Sequence, residues 1–234
     1  MRYPVIIALD PPTEEEPVRW AIRVIDSLGS GPAGYKIGLP LLVRAGKDGV
    51  RDIASVMPSN TLKVADLKLA DIGPVMVLTA SIAVDAGYTH VIAHPFMGEE
   101  GGLEELAQYL RAVGAGLVLL VAMSNPGAAR YFDQFVDEFV MMGSRLGAWG
   151  YVAPATRPHI VRRVRSLLSM TPNPAAKILS PGVGAQGQRP WAAIKSGADY
   201  EIVGRAVTRA PDPAEALNKL YGGSGVLPRR GHLG

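Results

Sequence analysis

Two lysines and two aspartates stand in otherwise apolar stretches of this chain. Lys36 lies in Gly34-Tyr35-Lys36-Ile37-Gly38, and the other three in Asp66-Leu67-Lys68-Leu69-Ala70-Asp71. If residues 62–67 form a strand, Asp66 and Lys68, two apart, project to one side and Asp71 follows from the turn. Charges in such surroundings are costly to bury without partners, so their alternation reads as a mutually compensated array. A lysine between two carboxylates keeps its proton, which makes Lys68 an acid and a fixed positive charge. A Schiff-base role needs a lysine that loses its proton easily, so covalent amine chemistry is disfavoured.

The elements that must position these groups alternate along the chain. Short apolar runs predict strands at 5–9, 34–37, 62–67, 90–94, 117–122, 150–152, 177–179 and 200–203. Helical patterns follow them at 14–27, 49–57, 75–86, 103–113, 134–146, 158–168, 189–196 and 213–221. Strict β, α alternation means a parallel sheet, and eight repeats favour closure into a single (β/α)8 TIM barrel. Thr13, Pro74, Pro158 and Pro213 are the expected helix starts, and Gly29, Gly87, Gly114 and Gly197 fall just after helix ends. No linker divides the chain, so residues 1–221 are expected as one barrel domain and the Gly-rich residues 222–234 as a mobile tail.

Barrels of this kind carry their sites at the C-terminal ends of the strands. Asp10, Lys36, Asp66, Lys68, Asp71, His94 and Ser124 all fall there. After strand seven comes Ser180-Pro181-Gly182-Val183-Gly184-Ala185-Gln186-Gly187, and after strand eight Gly204-Arg205. Those two loops form the common phosphate site of the fold, where exposed backbone N–H groups and one arginine fork bind a phosphomonoester. Gly182, Gly184 and Gly187 also match a dinucleotide fingerprint. That reading fails on context, because Asp199 and Glu201 come too early for the acidic ribose partner.

Composition narrows the function further. The chain has 234 residues, 48% of them apolar, which suffices for one large core. It has no cysteine, which excludes disulfides, thiolate zinc sites and thiol catalysis. The formal charge of +3 is modest and the arginines are scattered, apart from Arg162-Arg163-Val164-Arg165 and Arg229-Arg230. Nucleic acid is therefore not the expected partner, whereas a small anionic substrate is. The run 5–9 is too short for a signal-peptide core and 117–123 too short to span a bilayer, so a cytoplasmic protein with no membrane contact is expected. Two lysines crowd the acids Asp66 and Asp71, and the histidines show no ligand spacing beyond His90 and His94, so no metal is expected.

Taken together, several segments resemble the orotidine 5'-monophosphate decarboxylase family, in its short archaeal-like form. They are Ala8-Leu9-Asp10, Lys36-Ile37-Gly38, Asp66 to Ile72, Met123-Ser124-Asn125-Pro126-Gly127, Pro154-Ala155-Thr156-Arg157-Pro158, the 180–187 loop and Val203-Gly204-Arg205. The D-x-K-x-x-D element also resembles one in 3-keto-L-gulonate 6-phosphate decarboxylases and hexulose phosphate synthases. Those relatives use a metal with a carboxylate near the end of strand two, where this chain has Lys36.

The resemblance implies a cofactor-free decarboxylation of orotidine 5'-monophosphate to uridine 5'-monophosphate (UMP). Lys68 would stabilise charge at C6 and protonate it, Asp66 would face the departing carboxylate, and Lys36 and Asp71 would complete the array. Asp71 would come from the partner of a homodimer. Asp10 and Lys36 would hold ribose hydroxyls, Ile72 would line the base pocket and Ser124 would contact the pyrimidine. Pro181, Gly182, Gln186, Gly204 and Arg205 would form the phosphate site. One position departs from the family: Val75 stands where a threonine commonly bonds the partner's ribose, and valine cannot make that bond.

Overall fold

The computed structural model describes residues 3–184 and 187–222, so both Gln186 and residues 223–234 of the expected tail lie outside the described residues. In chain order the elements are β1 (Tyr3–Leu9), α1 (Pro17–Leu28), β2 (Pro32–Gly38), α2 (Leu39–Val56), β3 (Leu62–Leu69), α3 (Gly73–Asp85), β4 (His90–Ala93), α4 (Glu104–Ala112) and β5 (Gly116–Leu120). There follow α5 (Pro126–Phe132), α6 (Val136–Arg145), β6 (Gly150–Val152), α7 (Pro158–Leu168), β7 (Lys177–Pro181), α8 (Ala192–Lys195), β8 (Tyr200–Val203), α9 (Arg205–Thr208) and α10 (Pro213–Tyr221). The eight strands pair in sequence order, all parallel, and β8 closes on β1. This is the expected (β/α)8 barrel.

Strand alternation sorts the apolar side chains into two layers. Ile6, Ala8, Val64, Ile92, Val118, Leu120, Val152, Leu179 and Ile202 fill the barrel interior. The larger cluster, including Ile7, Leu9, Tyr35, Ile37, Leu119 and Ile178, packs outward against the helices. Lys36 is registered between Ala8 and Val64, both interior residues, so its side chain enters the barrel. A lysine placed there needs a counter-charge.

Several local expectations need correction. Helix α2 begins at Leu39, ten residues before the expected start. Leu41 and Leu42 bury its first turns, and Gly46 joins two helical segments with φ +67° and ψ 178°, which broke the apolar period. Helix α1 is capped by Glu16 and not Thr13. The Glu16 carboxylate accepts the Val18 and Arg19 N–H groups ahead of Pro17, while the Thr13 hydroxyl bonds Glu14. Helices α5 and α9 were not anticipated. The glycines after α1, α3 and α4, and Gly197 after α8, do adopt positive φ.

The most consequential difference is in β3, which runs two residues beyond its expected end. It pairs with β4 at Ala65↔Val91 and next at Leu69↔Ala93, so four steps of β3 oppose two of β4. The surplus is a bulge at the strand's C-terminal end, where Lys68 takes φ +47°. The backbone N–H of His94 donates to the Leu69 carbonyl at 2.8 Å and closes the bulge from the β4 side. Among the described residues, no helix is long and apolar enough to cross a membrane.

Candidate active site

Strand β2 carries Lys36 into the barrel and β3 carries Asp66 beside it. Asp66 Oδ2 lies 3.3 Å from Lys36 Nζ and 2.8 Å from Lys68 Nζ. Asp66 and Lys36 are buried, whereas the Lys68 side chain is 40% exposed and reaches into open space. Burial alone would push the Asp66 carboxyl up. The two lysine charges and their hydrogen bonds outweigh it and hold the group below its ordinary value. Asp66 Oδ1 has no hydrogen-bond partner and is turned away from water.

Within one chain it is the carboxylate that sits between two ammonium groups, because Asp71 does not join them. Asp71 is exposed, and its Oδ1 accepts the N–H of Ile72 at 2.7 Å, ahead of α3. Ile72 is 59% exposed and lines neither hollow of its own chain.

Two hollows meet at the triad. An outer cleft of about 520 Å³ is lined by Asp10, Lys36, Gly38, Asp66, Lys68, Pro181, Gly182, Gly204, Arg205 and Arg209, among others. An inner cavity of about 110 Å³ is floored by Ile92, Leu120, Ala122, Met123 and Val152, with Ser124 at its edge. Lys36, Asp66, Lys68, Pro181 and Ile202 belong to both. The outer cleft therefore presents four cations and two carboxylates, a surplus suited to a dianion, and the inner one is a slot that is apolar beyond the triad. A larger hollow of about 680 Å³ opens outside the barrel between α1 and the loop entering α10. It shares Arg209 but neither lysine, and its other charges are Glu15, Arg23 and Asp212.

The expected site residues thus divide. Asp10, Lys36, Asp66, Lys68, Ser124, Pro181, Gly182, Gly204 and Arg205 line the two hollows; Asp71 and Ile72 do not; Gln186 is outside the described residues. Arg209 was missed, although its spacing of four from Arg205 places the two on one helical face. Also missed was a clamp behind Ser124. The Arg157 guanidinium donates to the Met123 carbonyl and to Asp133, and the Thr156 hydroxyl donates to the Ser124 carbonyl at 3.4 Å. His94 lies behind the bulge, its ring tilted against Phe96 and Phe132, and its buried Nδ1 has no hydrogen-bond partner among the described residues. Burial, with the positive charge of Lys68, keeps that imidazole below its ordinary value, against a smaller opposing pull from Asp66. Among the described residues, no group of three or more acidic or histidine side chains gathers as a metal site.

The resemblance read from the motifs extends to whole chains. The chain is 46% identical over 216 residues to orotidine 5'-phosphate decarboxylase of Aeropyrum pernix, covering 91% of this chain and 85% of that one. Its fold matches the crystal structure of the Metallosphaera sedula orotidine 5'-monophosphate decarboxylase at 37% identity with a TM-score of 0.78, over 94% and 96% of the two chains. The Sulfolobus solfataricus enzyme matches at 30% identity with a TM-score of 0.80, over 94% and 97%. The model of the orotidine 5'-phosphate decarboxylase / HUMPS family spans residues 3–220. With its barrel, its charged triad and this similarity along nearly its whole length, the chain belongs to the orotidine 5'-phosphate decarboxylase / HUMPS family, as an enzyme of the decarboxylase branch.

Proposed function

We propose that the chain decarboxylates orotidine 5'-monophosphate to UMP and CO2, the last step of UMP synthesis, without a cofactor. The observation that carries this reading is Asp66 held between Lys36 and Lys68 where the polar cleft meets the apolar slot. The slot takes the pyrimidine against Ile92, Leu120 and Val152, with Ser124 at its edge. The cleft takes the ribose near Asp10 and Lys36, and the phosphate between Gly182, Gly204 and Arg205, with Gln186 of the same loop. The substrate carboxylate then lies against Asp66.

The bond from C6 to the carboxylate breaks, CO2 leaves, and the electron pair stays on C6. The ring offers no conventional electron sink for that pair, so a preorganised cation must stabilise it, and Lys68 would supply that charge. The Lys68 ammonium then passes a proton to C6 and is reprotonated from solvent. Each tenfold in rate requires roughly 1.4 kcal/mol of such stabilisation. Binding of the remote phosphate contributes energy that is realised in the transition state.

The active form is a homodimer in which Asp71, with the neighbouring Ile72, completes the partner's site. Support comes from the exposed apolar residues Ile72, Val75 and Leu78 along the start of α3, beside the exposed Asp71. The family's sugar-phosphate branch is disfavoured because β2 presents Lys36 near its end, where a metal-binding carboxylate would stand.

The test is the loss of orotidine monophosphate absorbance with and without EDTA. Turnover is expected in both. Activity abolished by EDTA points to the metal-dependent branch, and nucleotide binding without an absorbance change points to a silent binding protein. Lys68→Ala is expected to remove nearly all turnover while UMP still binds, and turnover within about tenfold of wild type would refute the role of Lys68.

A further inference from the structure

Glu201 is a fully buried carboxylate, facing outward from β8 into the helix layer, that the chemistry above does not use. Its Oε1 accepts the Ala193 N–H at 2.8 Å. Its Oε2 accepts the Trp191 N–H at 3.0 Å and the Tyr221 hydroxyl at 2.6 Å. Among the described residues no lysine, arginine or histidine forms an ion pair with it, so these three donors are what balances a buried charge. A carboxylate in such a place is expensive, and an apolar residue would pack β8 against α8 at lower cost. What it holds is therefore informative.

It holds the point where the chain leaves the β7 loop. Trp191 is left-handed, at φ +69°, a conformation that strains a bulky side chain. Its ring meets Tyr221 edge-on at 5.4 Å, so Glu201 and Tyr221 secure both the backbone and the side chain of one strained residue. Upstream, the Gly184 N–H donates to the Gln188 carbonyl at 2.9 Å, and Gly182 lines the cleft beside Arg205. Three residues after Glu201, β8 gives way to Gly204 and Arg205.

We propose that Glu201 is a positioning residue for the phosphate subsite: from outside the barrel it fastens the segment leaving the β7 loop to the strand that leads into Gly204 and Arg205. This rests on the reading that the cleft between β7 and β8 takes a phosphate. Glutamine at 201 keeps the shape but turns an amide N–H₂ toward a donor, so one anchor is lost and Gly182 and Arg205 no longer keep one spacing.

Calorimetry with UMP and with uridine, which lacks the phosphate, tests this on the intact protein. Glu201→Gln is expected to weaken UMP binding about tenfold, the equivalent of one charge-assisted hydrogen bond, and to leave uridine binding unchanged. On orotidine monophosphate the same loss should fall on KM more than on kcat. Hydrogen exchange at the Trp191 and Ala193 amides should quicken. Tyr221→Phe removes one donor while keeping the ring, and should shift UMP binding the same way by less, which keeps the test alive if Glu201→Gln fails to fold. Equal weakening of UMP and uridine, or unchanged UMP binding in both variants, overturns the positioning role. Wild-type protein that binds UMP no better than uridine overturns the phosphate subsite itself.

Discussion

Asp66 and the two histidines that bracket β4 show how the same burial acts oppositely on acids and bases. Asp66 keeps its charge because Lys36 and Lys68 touch it. Its carboxyl is depressed below 3.8, so the stability it contributes is present above that value and is lost only as pH falls through its folded titration. Among the described residues His90 has no charged partner, only the Thr89 hydroxyl 2.9 Å from its Nδ1. Burial against the Trp149 ring, at 4.1 Å, pushes its imidazole down from 6.5 to about 4. Between those values the unfolded chain binds a proton that the folded chain refuses. Stability should therefore be complete above pH 6.5 and fall as pH drops towards 4, by on the order of 3 kcal/mol at most. Thermal melts at pH 7 and pH 5 check this: His90→Gln should narrow the difference between the two melting temperatures. An unchanged difference would show that another group governs the acid limb.

At the scale of elements, the loops at the ends of β3 and β7 do the positioning. The bulge in β3 aims Lys68, and neither its surplus residues nor the left-handed Lys68 can be read from an apolar pattern, because they arise from how β3 registers on β4. The β7 loop depends on Gly184, at φ +77°. A Cβ there would lie 2.7 Å from the Ala206 Cβ, on the helix that begins with Arg205. Gly184→Ala is expected to raise KM for orotidine monophosphate about tenfold or more by pushing the loop off α9, with kcat less affected. Steady-state kinetics on the purified variant decide it, and an unchanged KM would show that the loop and α9 are not coupled. The motif that named this loop in the sequence was legible because glycines are demanded there. The kink at Gly46 was not, because one glycine split a continuous helix into two short apolar patterns.

For the whole molecule, the barrel explains why Lys36 and Asp66, thirty positions apart, share a site, and the exposed face at the start of α3 is the surface that the proposed dimer would cover. Leu78 is 68% exposed beside Val75 and Ile72. Covering such a patch with a second copy would bring Asp71 to the neighbouring cleft. Leu78→Glu is expected to yield a monomer by light scattering and to lose most turnover. A sharper check mixes two inactive variants, Lys68→Ala and Asp71→Asn. After subunit exchange, half the dimers are mixed and each holds one intact site, so about a quarter of wild-type activity should return. No recovery would mean that the sites are not shared.

Alternating apolar runs and glycine or proline punctuation determined the barrel, since eight β, α repeats of this length have few other ways to bury their apolar faces. The spacing of Asp66, Lys68 and Lys36 marked the charges that had to meet. Which charge sits in the middle was decided only by the tertiary structure, because strand register and the β3 bulge set the side-chain directions. Asp66 lies between the lysines, while Asp71 of the same chain is exposed and accepts the Ile72 N–H. The buried Glu201 and the clamp of Arg157 on Met123 were likewise invisible in the sequence, since each depends on how loops and helices pack around neighbouring strands.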